Sequence, residues 1–284
     1  GWYSNASCTS DEVTEIPVTA TGEQTFYAKW TPITYSVTFY PNSGTINSGK
    51  ITSYTYGNTV MLPTDVTRTG YTFGGWYTSS SLSGSPVTSI TATNYGNKYF
   101  YAKWNVNSYN ITYVTNNGTI NDDEYVESYD FGVAKTLPTN VTKTGYTFAG
   151  WYTNDSYSGD AVSAVSTTDF GDKTFYAKWN VNSYNVTLNT DGGIINSGNI
   201  ASYTYGVGAT LPTDIAKTGY TFVGWYDNSS CSGSPVLSIA SNAIDDKEFW
   251  AKWDTINYTI TYNANEGVFA TTPAESYKYG DEVT

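Results

Sequence analysis

No histidine occurs anywhere in the 284 residues. That absence removes Ser-His-Asp and Cys-His nucleophilic catalysis, and with them every imidazole-ligated metal site. Cysteine is limited to Cys8 and Cys231, too few for a zinc site. Charged residues make up 13% of the chain, against about 25% in an average protein. Those present are mostly acidic, giving a net charge of -12. With no basic stripe to displace counterions from phosphates, nucleic acid is excluded as a partner. No run of 18 or more apolar residues occurs, so no transmembrane segment is expected in this fragment. The straight-chain helix formers are also scarce, Met occurring once. The carboxylate clusters Asp122-Asp123-Glu124 and Asp245-Asp246 lack the alternating ligand spacing and Gly turn of a Ca²⁺ loop. No cofactor and no enzymatic activity is expected.

What the chain does contain is Tyr, Thr, Ser and a repeat. Aromatics reach 17%, with 28 Tyr, and such β-branched and aromatic side chains suit a pleated surface. Gly-Trp-Tyr recurs at Gly1, Gly75, Gly150 and Gly224, and Ala-Lys-Trp recurs ending at Trp30, Trp104, Trp179 and Trp253. Both series step by 74, 75 and 74 residues, so internal repetition decides the fold before any other argument. The expected organisation is a partial module over 1–30, full modules over 31–104, 105–179 and 180–253, and a partial module over 254–284. Cys8 and Cys231 occupy equivalent places, matched by Leu82 and Tyr157. Three modules separate them, whereas a disulfide needs Cα atoms within about 7 Å; apolar filler is the expected role.

Within one module, Tyr35-Ser-Val-Thr-Phe-Tyr40 alternates with period two and predicts a strand. Pro41-Asn42-Ser43-Gly44 and its equivalents, such as Asn116-Asn117-Gly118, supply residues that tolerate positive φ and predict a turn. Further strands are expected at Ile51–Tyr56, Tyr71–Tyr77 and Lys98–Trp104, with a short one near Ile90, giving four or five per module. Pro63 leaves room for at most one short helix. Strict alternation along Tyr71–Tyr77 places Tyr71, Phe73 and Tyr77 on one face and Trp76 on the other. Each terminal Trp precedes a Tyr by five residues, pairing Trp30 with Tyr35, Trp104 with Tyr109, Trp179 with Tyr184 and Trp253 with Tyr258. These eight are the expected structural residues of the module junctions. The connecting residues contain no Gly and are too short for a flexible tether, so neighbouring modules are expected to meet at a fairly fixed angle in an extended rod.

Tyr35-x-Val-Thr-Phe39, Tyr56-Gly57, Leu62-Pro63, Thr69-Gly70-Tyr71-Thr72-Phe73, Gly75-Trp76-Tyr77 and Phe100-Tyr-Ala-Lys-Trp104 together resemble the Listeria-Bacteroides repeat, similar to the B-repeat of internalin-type surface proteins. The resemblance covers nearly the whole chain. It implies a mainly β, β-grasp-like module arrayed in tandem on large microbial surface proteins, extracellular (cell-surface or secreted), with no enzyme activity.

Two functional classes follow. The first is a structural stalk or filament segment whose partners are neighbouring modules or copies of itself. The second is a multivalent adhesin that binds surface glycans or host proteins through exposed aromatics. The candidates for ring stacking are Trp76, Trp151 and Trp225, for which a core role is favoured over a module-interface role, and either over stacking. Lys29, Lys103, Lys178 and Lys252 recur beside aromatics, where laying the stem over a ring is favoured over an isopeptide link. Residues 1–30 resemble only the last part of a module and 254–284 only the first. The array is therefore expected to continue, or to have its open modules completed by strand addition from another copy.

Overall fold

A computed structural model describes residues 1–121, 123, 125–271 and 273–283. The chain packs as two compact units: Gly1–Asn110 with Ser128–Ala134 and Ser166–Asp172, and Ile111–Glu127 with Lys135–Val165 and Lys173–Thr284. The division passes through the second repeat. Among the described residues there is no helix, and the segment after Pro63 forms the two-residue strand Val66–Thr67.

The first repeat is built on a four-stranded mixed sheet in the order Ser53–Thr55, Thr34–Tyr40, Lys98–Val106, Tyr71–Tyr77. The opening strand, Thr34–Tyr40, and the closing strand, Lys98–Val106, run parallel, pairing Val37 with Lys98 through Tyr40 with Tyr101. The remaining pairs are antiparallel. Two ribbons, Thr45–Ile46 with Val66–Thr67 and Val60–Met61 with Ser89–Ile90, complete the repeat. This is eight strands where four or five were expected, because the ribbon strands of two residues are too short to carry a period. The same sheet order recurs around Ser108–Val114 with Lys173–Val181 and around Ser183–Asn189 with Lys247–Thr255.

The expected turn residues take up positive φ, as at Asn42 (49°), Ser43 (67°), Asn116 (52°) and Asn117 (65°). Asn and Gly carry that conformation at least cost. The turn is anchored as well as tolerated. The closing strand shifts register between Ala102 and Trp104, a β-bulge, and the amide of Asn42 donates to the Ala102 carbonyl at 2.7 Å. Asn116 does the same for Ala177 at 2.9 Å.

That bulge also corrects the face assignment along Tyr71–Tyr77. Gly75, at φ 107°, breaks the alternation. Phe73 and Trp76 therefore both join the core, with ring centroids 5.3 Å apart. Tyr77 falls on the other face, under the Lys103 ammonium at 5.4 Å. The core combines Val37, Tyr54, Leu62, Ile90, Phe100 and their neighbours, and in the third repeat Val186, Tyr203, Leu211, Ile239 and Phe249 take the same places. Among the described residues no buried side-chain polar atom lacks a partner. The buried tyrosines use their hydroxyls for this: Tyr54, Tyr129 and Tyr203 donate to the carbonyls of Gly96, Gly171 and Asp245 at 2.6–2.7 Å.

Candidate functional site

Trp76, Trp151 and Trp225 are each 2% exposed. Their indole N–H groups donate to the carbonyls of Pro63, Pro138 and Pro212 at 2.7–2.8 Å. Neither ring face is available to a sugar, so the stacking role is corrected and the core role remains. The Leu-Pro motif owes its place to this contact: the Leu fills the core and the Pro carbonyl receives the indole N–H.

Seven of the eight junction candidates turn into their own repeats. Trp104, Trp179 and Trp253 pack on Phe73, Phe148 and Phe222 at 5.4 Å. Their N–H groups donate to Pro41, Thr115 and Thr190 at 2.9 Å. Each ring also lies over a turn glycine, Gly44, Gly118 or Gly193, where a Cβ would overlap it. Tyr35, Tyr109, Tyr184 and Tyr258 pair with Tyr54, Tyr129, Tyr203 and Tyr277 at 5.3–5.5 Å. Trp30, with no such turn beside it, is 88% exposed. For Trp104, Trp179 and Trp253 these contacts within the repeat replace the expected pairing with the Tyr five residues on.

The joints lie elsewhere, and sequence reasoning missed them. In the first unit, the Phe131 ring rests on Gly70, where a Cβ would overlap it, and meets Tyr71 edge-on at 5.6 Å. In the second unit, Tyr205 rests on Gly145 and Tyr279 on Gly219, beside Tyr146 (5.6 Å) and Tyr220 (6.3 Å). A cation backs each pair: Arg68 over Tyr71 at 3.8 Å, Lys143 over Tyr146 at 4.3 Å and Lys217 over Tyr220 at 4.5 Å.

One residue separates closing strand from next opening strand, and it is bonded on both sides. Asn107 N–H donates to Gly70 C=O at 3.0 Å, and its own carbonyl accepts from Phe131 N–H at 3.0 Å. Thr72 Oγ1 donates to Asn107 Oδ1 at 2.6 Å. Asn182 repeats the set, with Gly145 (2.9 Å), Tyr205 (3.0 Å) and Thr147 (2.6 Å). The available signal was the aromatic before each Gly that ends the second strand, Phe131-Gly132 and Tyr205-Gly206, together with the Thr-Gly-Tyr turn.

The four recurrent lysines lie over Tyr3, Tyr77, Tyr152 and Tyr226 at 4.9–5.4 Å. Cys8 and Cys231 are free. Among the described residues no group of three or more His, Cys, Asp or Glu is placed to hold a metal; Asp122 and Glu124 lie outside the described residues. Likewise, no described helix is long and apolar enough to cross a membrane.

Burial, with Tyr125 beside it, pushes the Tyr113 phenol up to about 12, and burial also raises Tyr54, Tyr129 and Tyr203. A raised phenol means the fold favours the neutral hydroxyl. That contribution is fully present below the ordinary phenol value of about 10, and for Tyr113 it is lost as pH rises from there to about 12. Thermal melts across this range, read beside an ultraviolet phenolate titration, should show cooperative loss of the fold. Tyr113→Phe should reduce the slope of melting temperature against pH, and an unchanged slope would contradict the assignment.

A mainly β chain made of tandem copies of one sheet defines a repeat protein. The Listeria-Bacteroides repeat domain matches residues 35–103, 109–178 and 184–252, and the chain belongs to that family. It is 30% identical over 246 residues to a protein of Evansella cellulosilytica named "Putative Gly-rich membrane protein", covering 86% of this chain and 27% of that one. A second protein of that organism, "Putative membrane protein", is 30% identical over 265 residues, covering 92% and 38%. Internalin H of Listeria monocytogenes is 38% identical over 97 residues, covering 32% and 16%. The chain thus spans well under half the length of each of these relatives.

Proposed function

We propose that this chain is a non-enzymatic, extracellular structural repeat, a stiff stalk segment of a large microbial surface protein whose modules are residues 31–104, 105–179 and 180–253. The observation that carries the reading is the linker residue. Asn107 and Asn182 are each hydrogen-bonded through backbone and side chain to both flanking repeats, and a flexible tether has no use for such bonds. The names of the relatives, two membrane proteins and an internalin, support a surface location.

Small-angle scattering tests the stiffness. A compact domain of 284 residues would have a radius of gyration of roughly 19 Å; the stalk is expected to exceed this clearly, and a value near it would overturn the reading. Antibody labelling of intact cells of the source organism tests the location, and signal only after lysis would reject it.

The adhesin alternative has narrower support. Tyr40 and Tyr101 stack at 4.7 Å and 6° on the outer face of the first sheet, where Tyr40 is exposed. The equivalent pairs are Val114 with Tyr176 and Asn189 with Trp250, so this platform is not repeated as avidity requires. Glycan-array binding that scales with repeat number would favour the alternative.

A further inference from the structure

The strand by which the chain enters each repeat and the strand by which it leaves are parallel neighbours. Val37–Tyr40 pairs with Lys98–Tyr101, Ile111–Val114 with Lys173–Tyr176, and Val186–Asn189 with Lys247–Trp250, each in an unbroken register of four residues. Tension along the chain pulls the entering strand by its N-terminal end and the leaving strand by its C-terminal end. In a parallel pair those ends lie at opposite ends of the ladder. The force then runs along the strands and loads all the bonds of the ladder together; in an antiparallel hairpin pulled from its open end they would break in succession.

Side chains beneath the ladder add to this resistance. Phe39 of the entering strand and Phe100 of the leaving strand lie 5.5 Å apart, Tyr113 and Phe175 6.2 Å. Sliding by one residue would turn each strand's inward side chains to the other face. A slip that keeps them inward must cover two residues, about 6.6 Å, driving rings past one another. The intervening chain, Pro41 to Asn97 in the first repeat, forms the two outer strands of the sheet, Ser53–Thr55 and Tyr71–Tyr77, with the ribbons and loops, and none of it comes between the two strands of the ladder.

We propose that each repeat is a mechanical clamp: the parallel ladder between its opening and closing strands bears tension in shear, and successive clamps are joined in series through the closing strand and a single linker residue. This rests on the stalk reading and gives it a regulated property, resistance to pulling that depends on direction. A host or medium that drags on the protein would load these ladders first.

Single-molecule pulling decides the matter. Pulled from its two ends, the chain should open in three similar steps. Each step should release about 250 Å less the folded length, because a match such as 35–103 holds roughly 70 residues at up to about 3.6 Å each. Direction is then varied on the first repeat, in a background carrying Cys8→Ser and Cys231→Ser. Attachment through Thr34→Cys and Val106→Cys loads the ladder in shear, and attachment through Thr34→Cys and Lys98→Cys peels it from one end. The peeling force is expected to be severalfold lower. Ile46→Ala, in a ribbon off the load path, should lower the melting temperature while leaving the shear force nearly unchanged.

Equal forces in the two directions, or a shear force that falls in step with thermal stability, would overturn the clamp. A compact scattering profile would reject the stalk while leaving the directional measurement to stand or fall separately.

Discussion

Trp151→Ala is expected to cost about 3–5 kcal/mol, the range for removing a large aromatic from a packed core. Trp151 is 2% exposed and touches Phe148 at 5.4 Å and Tyr113 at 5.0 Å. Truncation leaves the space of an indole among rings held by the sheet, and it strips the Pro138 carbonyl of its partner at 2.8 Å. A repeat of about 70 residues has only some 4–10 kcal/mol to lose, at roughly 0.05–0.15 kcal/mol per residue. The substitution therefore takes a large share of the middle repeat's stability. For a domain of this size each kcal/mol moves the melting temperature by about 4–8 °C, so a fall of at least roughly 12 °C is expected for that repeat.

The array makes the result diagnostic. Stability in a linear array is approximately a sum of repeat and nearest-neighbour terms, so the flanking repeats should melt later and calorimetry should resolve a second, lower transition. Trp30→Ala, which truncates a side chain 88% exposed, is the control and should change stability by no more than about 0.5 kcal/mol. If Trp151→Ala melted like the Trp30 variant, the core assignment of Trp76, Trp151 and Trp225 would fail.

The opening and closing strands are legible in the sequence because their signals are local. Alternation over Tyr35–Tyr40 needs no knowledge of a partner, and Asn-rich turns announce positive φ. Trp76 is harder, because its face depends on a bulge created by Gly75 and by the register of the closing strand. The ribbons at Thr45–Ile46 and Val66–Thr67 are set by packing across the core, and two residues carry no period. The joints escape for a related reason. Trp104 and Tyr109 flank the linker in sequence, yet proximity along the chain does not become contact in space. The ring that reaches back, Phe131, is 61 residues from its glycine, Gly70.

That long-range joint supplies the second large effect: Gly145→Ala should loosen the connection that Gly159→Ala leaves intact. Both glycines have left-handed φ, 77° and 82°, so each alanine carries a similar conformational cost of about 1–2 kcal/mol. Their surroundings differ. A Cβ at Gly159 meets nothing within 4 Å, whereas one at Gly145 overlaps the Tyr205 ring. Displacing that ring forfeits its edge-on pair with Tyr146, worth about 0.5–1.5 kcal/mol. It also pulls Asn182 from Gly145, a 2.9 Å backbone bond worth about as much again. The excess over Gly159→Ala is then about 1–3 kcal/mol, and because 1.4 kcal/mol is a factor of ten, amide exchange at Asn182 and Tyr205 should quicken about five- to a hundredfold. Amides of the opening and closing strands, held by their own ladder, should change far less. A joint that kept its protection in the Gly145 variant, or lost it equally in the Gly159 variant, would mean that the ring on the glycine does not hold the repeats together.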